Sequence, residues 1–368
     1  MPAQRKSHMR PQFQGRYGGY QRIGAPARIL TTTSSESGKK GIHPAQVVAV
    51  YEESQALSTK PSAFRRINFE NWVSNAYTKQ RWSFFSFHTT ISAVHSGHNE
   101  MQIIGLCRFS YPCVGGFQIE HETIEQRISY LYSEERLSER LFAFEHITLP
   151  GLRAQTDNDF TFVVLIGESM PEHHTERLLA MVEDIPQVVV LSYEPMEYRN
   201  AMRRVFAQAV DTSFDWVVQF RLDDDDAVAV DFIQRVRRNA ILTEKIYKET
   251  GKLAIDFNQG YAVELTNTGI MAAHLKRAYW TPALAVVLST HAGKNIMNFP
   301  HHIIHTLMPT LTRNESNMFL RGINDHNDSS FIKHLPPREP LDPLTQSIFK
   351  LRFGIDANKV SRAINSSG

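Results

Sequence analysis

The stretch Trp216-Val217-Val218-Gln219-Phe220-Arg221-Leu222-Asp223-Asp224-Asp225-Asp226 constrains this chain more than any other. Val217, Val218, Phe220 and Leu222 suit a buried strand, and Trp216 supports that reading. Four adjacent carboxylates repel one another and cannot continue such a strand. The chain must therefore emerge at the strand's C-terminal end, where open α/β sheets bind ligands, and something must neutralise the charges. A hard divalent cation takes oxygen ligands, and one or two carboxylates plus substrate phosphates are a usual way to hold Mg²⁺. An acidic run is also what a solvated loop or a helix N-terminus shows. The apolar strand before it and the helical pattern after it favour a metal–diphosphate site.

The surrounding pattern repeats strand and helix. Residues 102–109, 160–167, 188–191 and 214–222 read as strands, so the aspartates follow the fourth. Helices are expected at 134–146 (broken or restarted at Pro150), 171–183, 196–211 and 229–250, the last ended by Gly251. Beyond residue 252 the pattern turns to strands, at 253–257, 261–265 and 283–288. Alternation of this kind is the βαβ signature of a mainly parallel sheet with flanking helices. Residues 336–345 are proline-rich, and 348–364 read as a terminal helix.

Charge divides the chain. Residues 1–100 carry 13 Lys and Arg against 5 Asp and Glu, whereas the whole chain has a formal net charge of only +2. Residues 1–45 lack usable periodicity and cannot bury enough apolar surface to offset their ordering entropy. The head is therefore expected to be a basic, largely disordered extension, with 46–51 as a possible short strand. One Arg-Tyr-Gly-Gly-Tyr is too little for nucleic-acid binding, and none is expected. Met101, directly before the first core strand, suggests an alternative start, with residues 1–100 coming from an over-extended reading frame. Cys107 and Cys113 cannot build a disulfide scaffold or a zinc quartet alone, which points to a reducing cytoplasm. No apolar run is long enough for a transmembrane helix, although peripheral contact at the inner face of a membrane is compatible with the sequence.

Four segments carry a family resemblance. Arg108-Phe109-Ser110, the stretch Leu149-Pro150-Gly151-Leu152-Arg153-Ala154-Gln155-Thr156-Asp157-Asn158-Asp159-Phe160, Arg221 through Ala227, and Leu320-Arg321-Gly322 through Asn327-Asp328-Ser329 resemble the RFS, LPSLxxQTxxDF, RxDDDDA and LR…NDS segments of a rhamnosyltransferase family of bacterial polysaccharide synthesis. These are GT-A-type glycosyltransferases, related to the family-2 transferases. The resemblance implies a GT-A (Rossmann-like) domain over residues 101–335. Its nucleotide-sugar half would be 101–250 and its acceptor half 251–335, with 336–368 as a Pro-rich segment and terminal helix. It implies transfer of a sugar from a nucleotide diphosphate donor to a glycan or other hydroxyl acceptor, assisted by Mn²⁺ or Mg²⁺. The sequence departs from the pattern at Gly151, where the family has Ser, and at Gly167-Glu168-Ser169, where many family-2 enzymes carry a nucleotide-binding DDxS turn.

In that pattern the metal is held by a D-x-D pair. Alternation along an extended chain would place Asp223 and Asp225 on one side, with Asp224 and Asp226 turned toward solvent or a helix N-terminus; Asp224-x-Asp226 is the competing register. Arg108, Arg221 and Asp223 are the expected contacts to the nucleotide sugar. An inverting transferase needs a base, for which Asp256, Glu264, His301, His302, His305, His326 and Asp328 are candidates. Of these, Asp256, His302 and Asp328 lead, and His302 is also an extra metal-ligand candidate. Two other readings exist. Asp224-x-Asp226-x-Val228 formally fits a haloacid-dehalogenase-type phosphatase with Asp224 as nucleophile. A non-catalytic cation-binding α/β module is the third.

Overall fold

The computed structural model describes residues 28–32, 46–50, 101–116, 121–314, 316–324 and 335–367. Two short strands lie in the basic head, β1 (Arg28–Thr32) and β2 (Gln46–Val50). The rest of residues 1–100, and with it most of the expectation of disorder there, falls outside the described residues. So do His326 and Asp328.

The core begins with β3 (Met101–Arg108) and continues through β4 (Thr161–Gly167), β5 (Val188–Tyr193) and β6 (Trp216–Arg221). After β7 (Ala227–Val228) come β8 (Lys252–Phe257), β9 (Gln259–Thr266), β10 (Gly269–Lys276) and β11 (Leu284–Ser289). The last strands are β12 (Thr310–Arg313), β13 (Phe319–Gly322) and β14 (Glu339–Pro340). Nine strands form one sheet in the order β1-β2-β5-β4-β3-β6-β11-β8-β12. From β2 to β6 every pairing is parallel, and β11 is the antiparallel strand inserted between β6 and β8. A smaller sheet, β14-β10-β9-β13-β7, forms the β-rich second half. This is the α/β arrangement with a mainly parallel sheet that the strand–helix alternation implies.

The chain runs outward from β3 through β4 to β5, then returns to place β6 on the other side of β3. The carboxyl ends of β3 and β6 therefore flank a topological switch point, the crevice where doubly wound sheets bind ligands. Arg108 ends one strand and the aspartates follow the other. Packing behind the crevice is close. A Cβ on Gly105 would lie 2.3 Å from the Phe220 ring and 2.6 Å from the Phe162 ring, so this glycine lets the two aromatics stack at 6.1 Å.

Several boundaries differ from expectation for local reasons. The helix at Glu134–Ala143 passes through a single π turn, Phe144–Thr148, into a short helix at Leu149–Arg153. The long helix expected over 229–250 is two, Phe232–Leu242 and Glu244–Thr250. The break falls at Thr243, whose hydroxyl donates back to the carbonyls of Asn239 and Ala240 and competes with the helix ladder. Gly251 does close the second piece in the left-handed region, at φ 74°. The terminal helix is likewise two, Pro343–Phe353 and Ala357–Ser367, with Gly354 at φ 71° between them. Among the described residues, no helix is long and apolar enough to cross a membrane.

Candidate active site

The Gln155–Phe160 segment is a brace for the loop that follows the aspartates. Gln155 is buried; its amide donates to the carbonyls of Gly151 and Ala229, and its oxygen accepts the Ile233 N–H. The Thr156 N–H bonds the Val230 carbonyl, and Arg237 pairs with Asp157 and Asp159. Gly151 belongs to the same brace. A Cβ there would lie 2.4 Å from the Val228 carbonyl oxygen, so the chain approaches too closely for the family's serine without a shift. The arginine-phenylalanine-serine opening also has a packing role at its centre: Phe109 is fully buried edge-on to Phe144 at 5.4 Å, and the Ser110 hydroxyl accepts from Arg136.

The four aspartates do not form an extended run. The Asp226 N–H bonds the Asp223 carbonyl at 3.1 Å, closing a turn over Asp223–Asp226. Aspartate favours such turns because its short carboxylate can bond nearby backbone. The turn replaces alternation with a different pairing. Asp223 and Asp226 come together on Arg321 Nη1, at 2.9 and 2.7 Å. Asp224 and Asp225 come together on Arg140, which pairs with both oxygens of Asp224 and reaches Asp225 Oδ2 at 3.2 Å. Asp225 Oδ2 also accepts from the Asn324 amide at 2.8 Å, and Asp226 Oδ1 from the Gly322 N–H at 2.9 Å. Asp224 and Asp226 are thus buried on arginines rather than turned to solvent, which corrects the geometry expected from an extended chain.

Only Asp223 is open. Its side chain is 45% exposed, against 0% for Asp226. Packing among its neighbours alone would raise its carboxyl; the charges of Arg321, Arg221 and Arg108 outweigh this and hold it well below the usual carboxylate range. For Asp226 the balance reverses. Burial, with the charges of Asp225 and Asp223, pushes its carboxyl well up despite Arg321. Arg321 is itself half-buried, yet the charges of Asp226, Asp223 and Asp225 keep its own charge firmly in place.

Arg221 donates to Thr281 Oγ1 at 2.8 Å. Arg108 donates to the Gly116 carbonyl at 3.2 Å and lies over the Tyr198 ring. Three guanidinium charges thus bear on one open carboxylate. Asp225, unlike Asp223, lines a cavity of about 640 Å³ together with Arg136, Arg140, Glu264, Gly322 and Asn324.

The histidines separate. His302 is exposed, whereas His301 is half-buried with Nδ1 2.6 Å from the Tyr279 carbonyl. Burial, then Arg221, lowers the His301 pKa to about 4, with His302 and Arg321 adding to the effect. His301, not the favoured His302, is therefore the histidine that feels the arginine cluster. Glu264 is committed to Arg338 at 2.6 Å, and His305 stacks on Tyr279. Tyr279 sits in the left-handed region at φ 63°, held by its N–H bond to Asp256 Oδ1 at 2.8 Å. Asp256 itself is fully buried, and its Oδ2 makes no hydrogen bond of acceptable geometry although Thr312 is its neighbour across β12.

Burial pushes the Asp256 carboxyl up to about 6 from its ordinary 3.8. The folded state therefore binds its proton more tightly than the unfolded state, and the associated stability is present in acid and lost as pH rises through about 6. Asp256→Asn keeps the oxygen that holds Tyr279 and removes the buried charge. It is expected to raise stability at pH 8 by roughly 2 kcal/mol, with no gain at pH 3.5, as read by thermal melts at the two pH values.

Two of these residues escaped the sequence reading. Arg140 is an arginine on the same helix face as Leu137, Leu141 and Phe144, and a charge set in an apolar stripe was its signal. Arg321 stands within a quoted motif, but nothing in the chain pointed it at residues nearly a hundred positions earlier. The phosphatase reading loses its chemistry here, because Asp224 is occupied on both oxygens by Arg140 and Asp226 has no exposed surface.

No curated protein matches the chain in sequence. Among solved structures it is similar to S. aureus TarS 1–349 in complex with UDP-GlcNAc, with a TM-score of 0.34 and 10% identity over 62% of this chain and 59% of that one. It is also similar to S. aureus TarS, with a TM-score of 0.32 and 11% identity over 61% and 36% of the two chains. For the apo bifunctional glycosyltransferase WbbM the TM-score is 0.26, with 11% identity over 58% of this chain and 36% of that one. The chain thus spans less than two thirds of each, and these likenesses are loose. The sequence itself is more decisive: residues 102–334 match the family described as "Putative rhamnosyl transferase". That match takes in more than half of the 368 residues, from the first core strand past β13, and the chain belongs to this family.

Proposed function

We propose that this chain transfers a sugar, rhamnose by its family, from a nucleotide diphosphate to a hydroxyl acceptor in bacterial surface polysaccharide synthesis, at the cytoplasmic face of the membrane. The observation that carries the reading is the open Asp223 carboxylate at the β3–β6 switch point, under the charges of Arg108, Arg221 and Arg321. A departing nucleoside diphosphate gains negative charge as the glycosidic bond stretches. Guanidinium groups beside the open carboxylate complement that change, and arginine matches phosphate oxygens geometrically.

The residues fit a divalent cation in one specific way. Asp223 offers a carboxylate with an exposed face, and substrate phosphates would complete the shell. Asp225 would join only by giving up Arg140 and Asn324. Asp223 would hold such a cation, whose chemistry there would be Lewis-acid stabilisation of the leaving diphosphate. His301, whose Nδ1–H donates to the Tyr279 carbonyl, keeps Nε2 unprotonated at neutral pH and is our candidate to receive the acceptor's proton. A diphosphate beside Arg221 and Arg321 would offset the charges that depress its basicity.

A panel of nucleotide sugars tested by thermal shift, with and without Mn²⁺, checks this reading. One nucleoside-diphosphate sugar is expected to raise the melting temperature in Mn²⁺ and to be slowly hydrolysed without acceptor. Hydrolysis of p-nitrophenyl phosphate with no response to any nucleotide sugar would contradict it.

A further inference from the structure

A second constellation lies away from the aspartate turn, where two helices meet at their N-termini. Glu134 opens the helix Glu134–Ala143, and His173 and His174 lie in the first turn of the helix Glu172–Val182. Glu134 Oε2 is 3.0 Å from His174 Nε2 and 3.3 Å from His173 Nε2. One ligand atom from each residue lies within 4.8 Å of the other two, and among the described residues this is the only such group of three.

The geometry points to a Zn²⁺ site with Glu134, His173 and His174 as protein ligands. Zinc bonds to imidazole nitrogen and carboxylate oxygen are about 2.0–2.1 Å, which makes the ligand-to-ligand edges of a tetrahedron about 3.3 Å. The two distances from Glu134 Oε2 to the imidazole nitrogens, 3.3 and 3.0 Å, are close to that spacing. Glutamate with two histidines is a chemically apt zinc set, and hard O-only ions would choose otherwise. The carboxylate is also oriented: Glu134 Oε1 faces the Ser138 hydroxyl at 3.3 Å, leaving Oε2 for the imidazoles. His174 is buried, with 3% of its side chain exposed, so one ligand is fixed by packing. Glu134 and His173 are 71% and 65% exposed, which gives the ion an entry path and water for the fourth position.

The site has a place in the architecture. The helix that begins with Glu134 carries Arg140, six residues or about 9 Å further along, and Arg140 holds Asp224 and Asp225. An ion shared by the two helices would pin the arginine's helix to its neighbour. A hydrogen-bonded Glu–His–His cluster without metal is the competing explanation, and the two differ in what they bind.

The test uses the full chain stripped with EDTA and titrated with Zn²⁺ by calorimetry and thermal melts, with Co²⁺ absorption as a spectroscopic probe. Wild type is expected to bind one ion at this site, with melting raised by roughly 5 °C. Glu134→Gln keeps hydrogen bonding but is a poor ligand, and His173→Ala alters an exposed side chain that can be lost without unfolding. Both are expected to abolish the stabilisation and the tetrahedral Co²⁺ bands, while Asp223→Asn keeps them. Absence of Zn²⁺ binding, binding unchanged in Glu134→Gln and His173→Ala, or binding lost in Asp223→Asn would each overturn the proposal.

Discussion

Replacing Arg321 by alanine is expected to destabilise this protein by about 3–5 kcal/mol, because it strands a buried carboxylate. Arg321 Nη1 is the shared partner of Asp223 and Asp226, and Asp226 has no exposed surface. Without the arginine, Asp226 keeps only the Gly322 N–H. Its carboxyl is already pushed up by burial and by Asp225 and Asp223, so the variant should take up a proton there. The folded state would then bind that proton more tightly than the unfolded state, and the loss should be smaller at pH 5 than at pH 8. At about 2–4 °C per kcal/mol, the melting temperature should fall by roughly 10 °C at neutral pH. Arg321→Met combined with Asp226→Asn should recover most of the loss. Removing both members of a buried pair costs far less than removing one. Melts of the single and double variants at two pH values check this.

The second large effect is on turnover. Asp223→Asn should leave the fold nearly intact, because the side chain is partly open and the amide keeps its place beside Arg321. It removes the most exposed carboxylate of the run, together with a charge that faces Arg321. Loss of nucleotide-sugar turnover by at least about 100-fold is expected in saturating Mn²⁺. Steady-state hydrolysis of the donor, with melting as a control for folding, is the measurement. An equal loss in Asp224→Asn without destabilisation would return the metal to the competing register.

Much of this was legible in the residues because it depended on local pattern. Apolar runs of four to eight residues fixed β3, β4, β5 and β6 to within two residues, and the alternation with helices fixed their parallel pairing. The position of the aspartates at a strand end followed from the cost of burying four like charges. What failed to read was non-local or rested on turn chemistry. An extended Asp-x-Asp pair assumed period-two alternation, whereas the backbone bond from Asp226 to Asp223 folds the run on itself. The counter-charges came from a helix 84 residues earlier and a strand 95 residues later. Strands β10, β12 and β13 went unread because their apolar content is short or interrupted, and their order comes from pairing with β9, β8 and β7. Nothing in the sequence marked His301 over the favoured His302; in the structure His301 is half-buried and His302 exposed.

On the proposed reading, the run of four aspartates is one working carboxylate, Asp223, beside three that are held by Arg140 and Arg321. Paired assays of Asp223→Asn and Asp226→Asn test that division most directly, scoring each variant for nucleotide-sugar turnover in Mn²⁺ and for melting temperature. Asp223→Asn should lose turnover and keep its melting temperature, and Asp226→Asn should shift its melting temperature while turnover per folded molecule stays within about tenfold. Full turnover in Asp223→Asn, or the same loss of turnover in both with no change in melting, would contradict it.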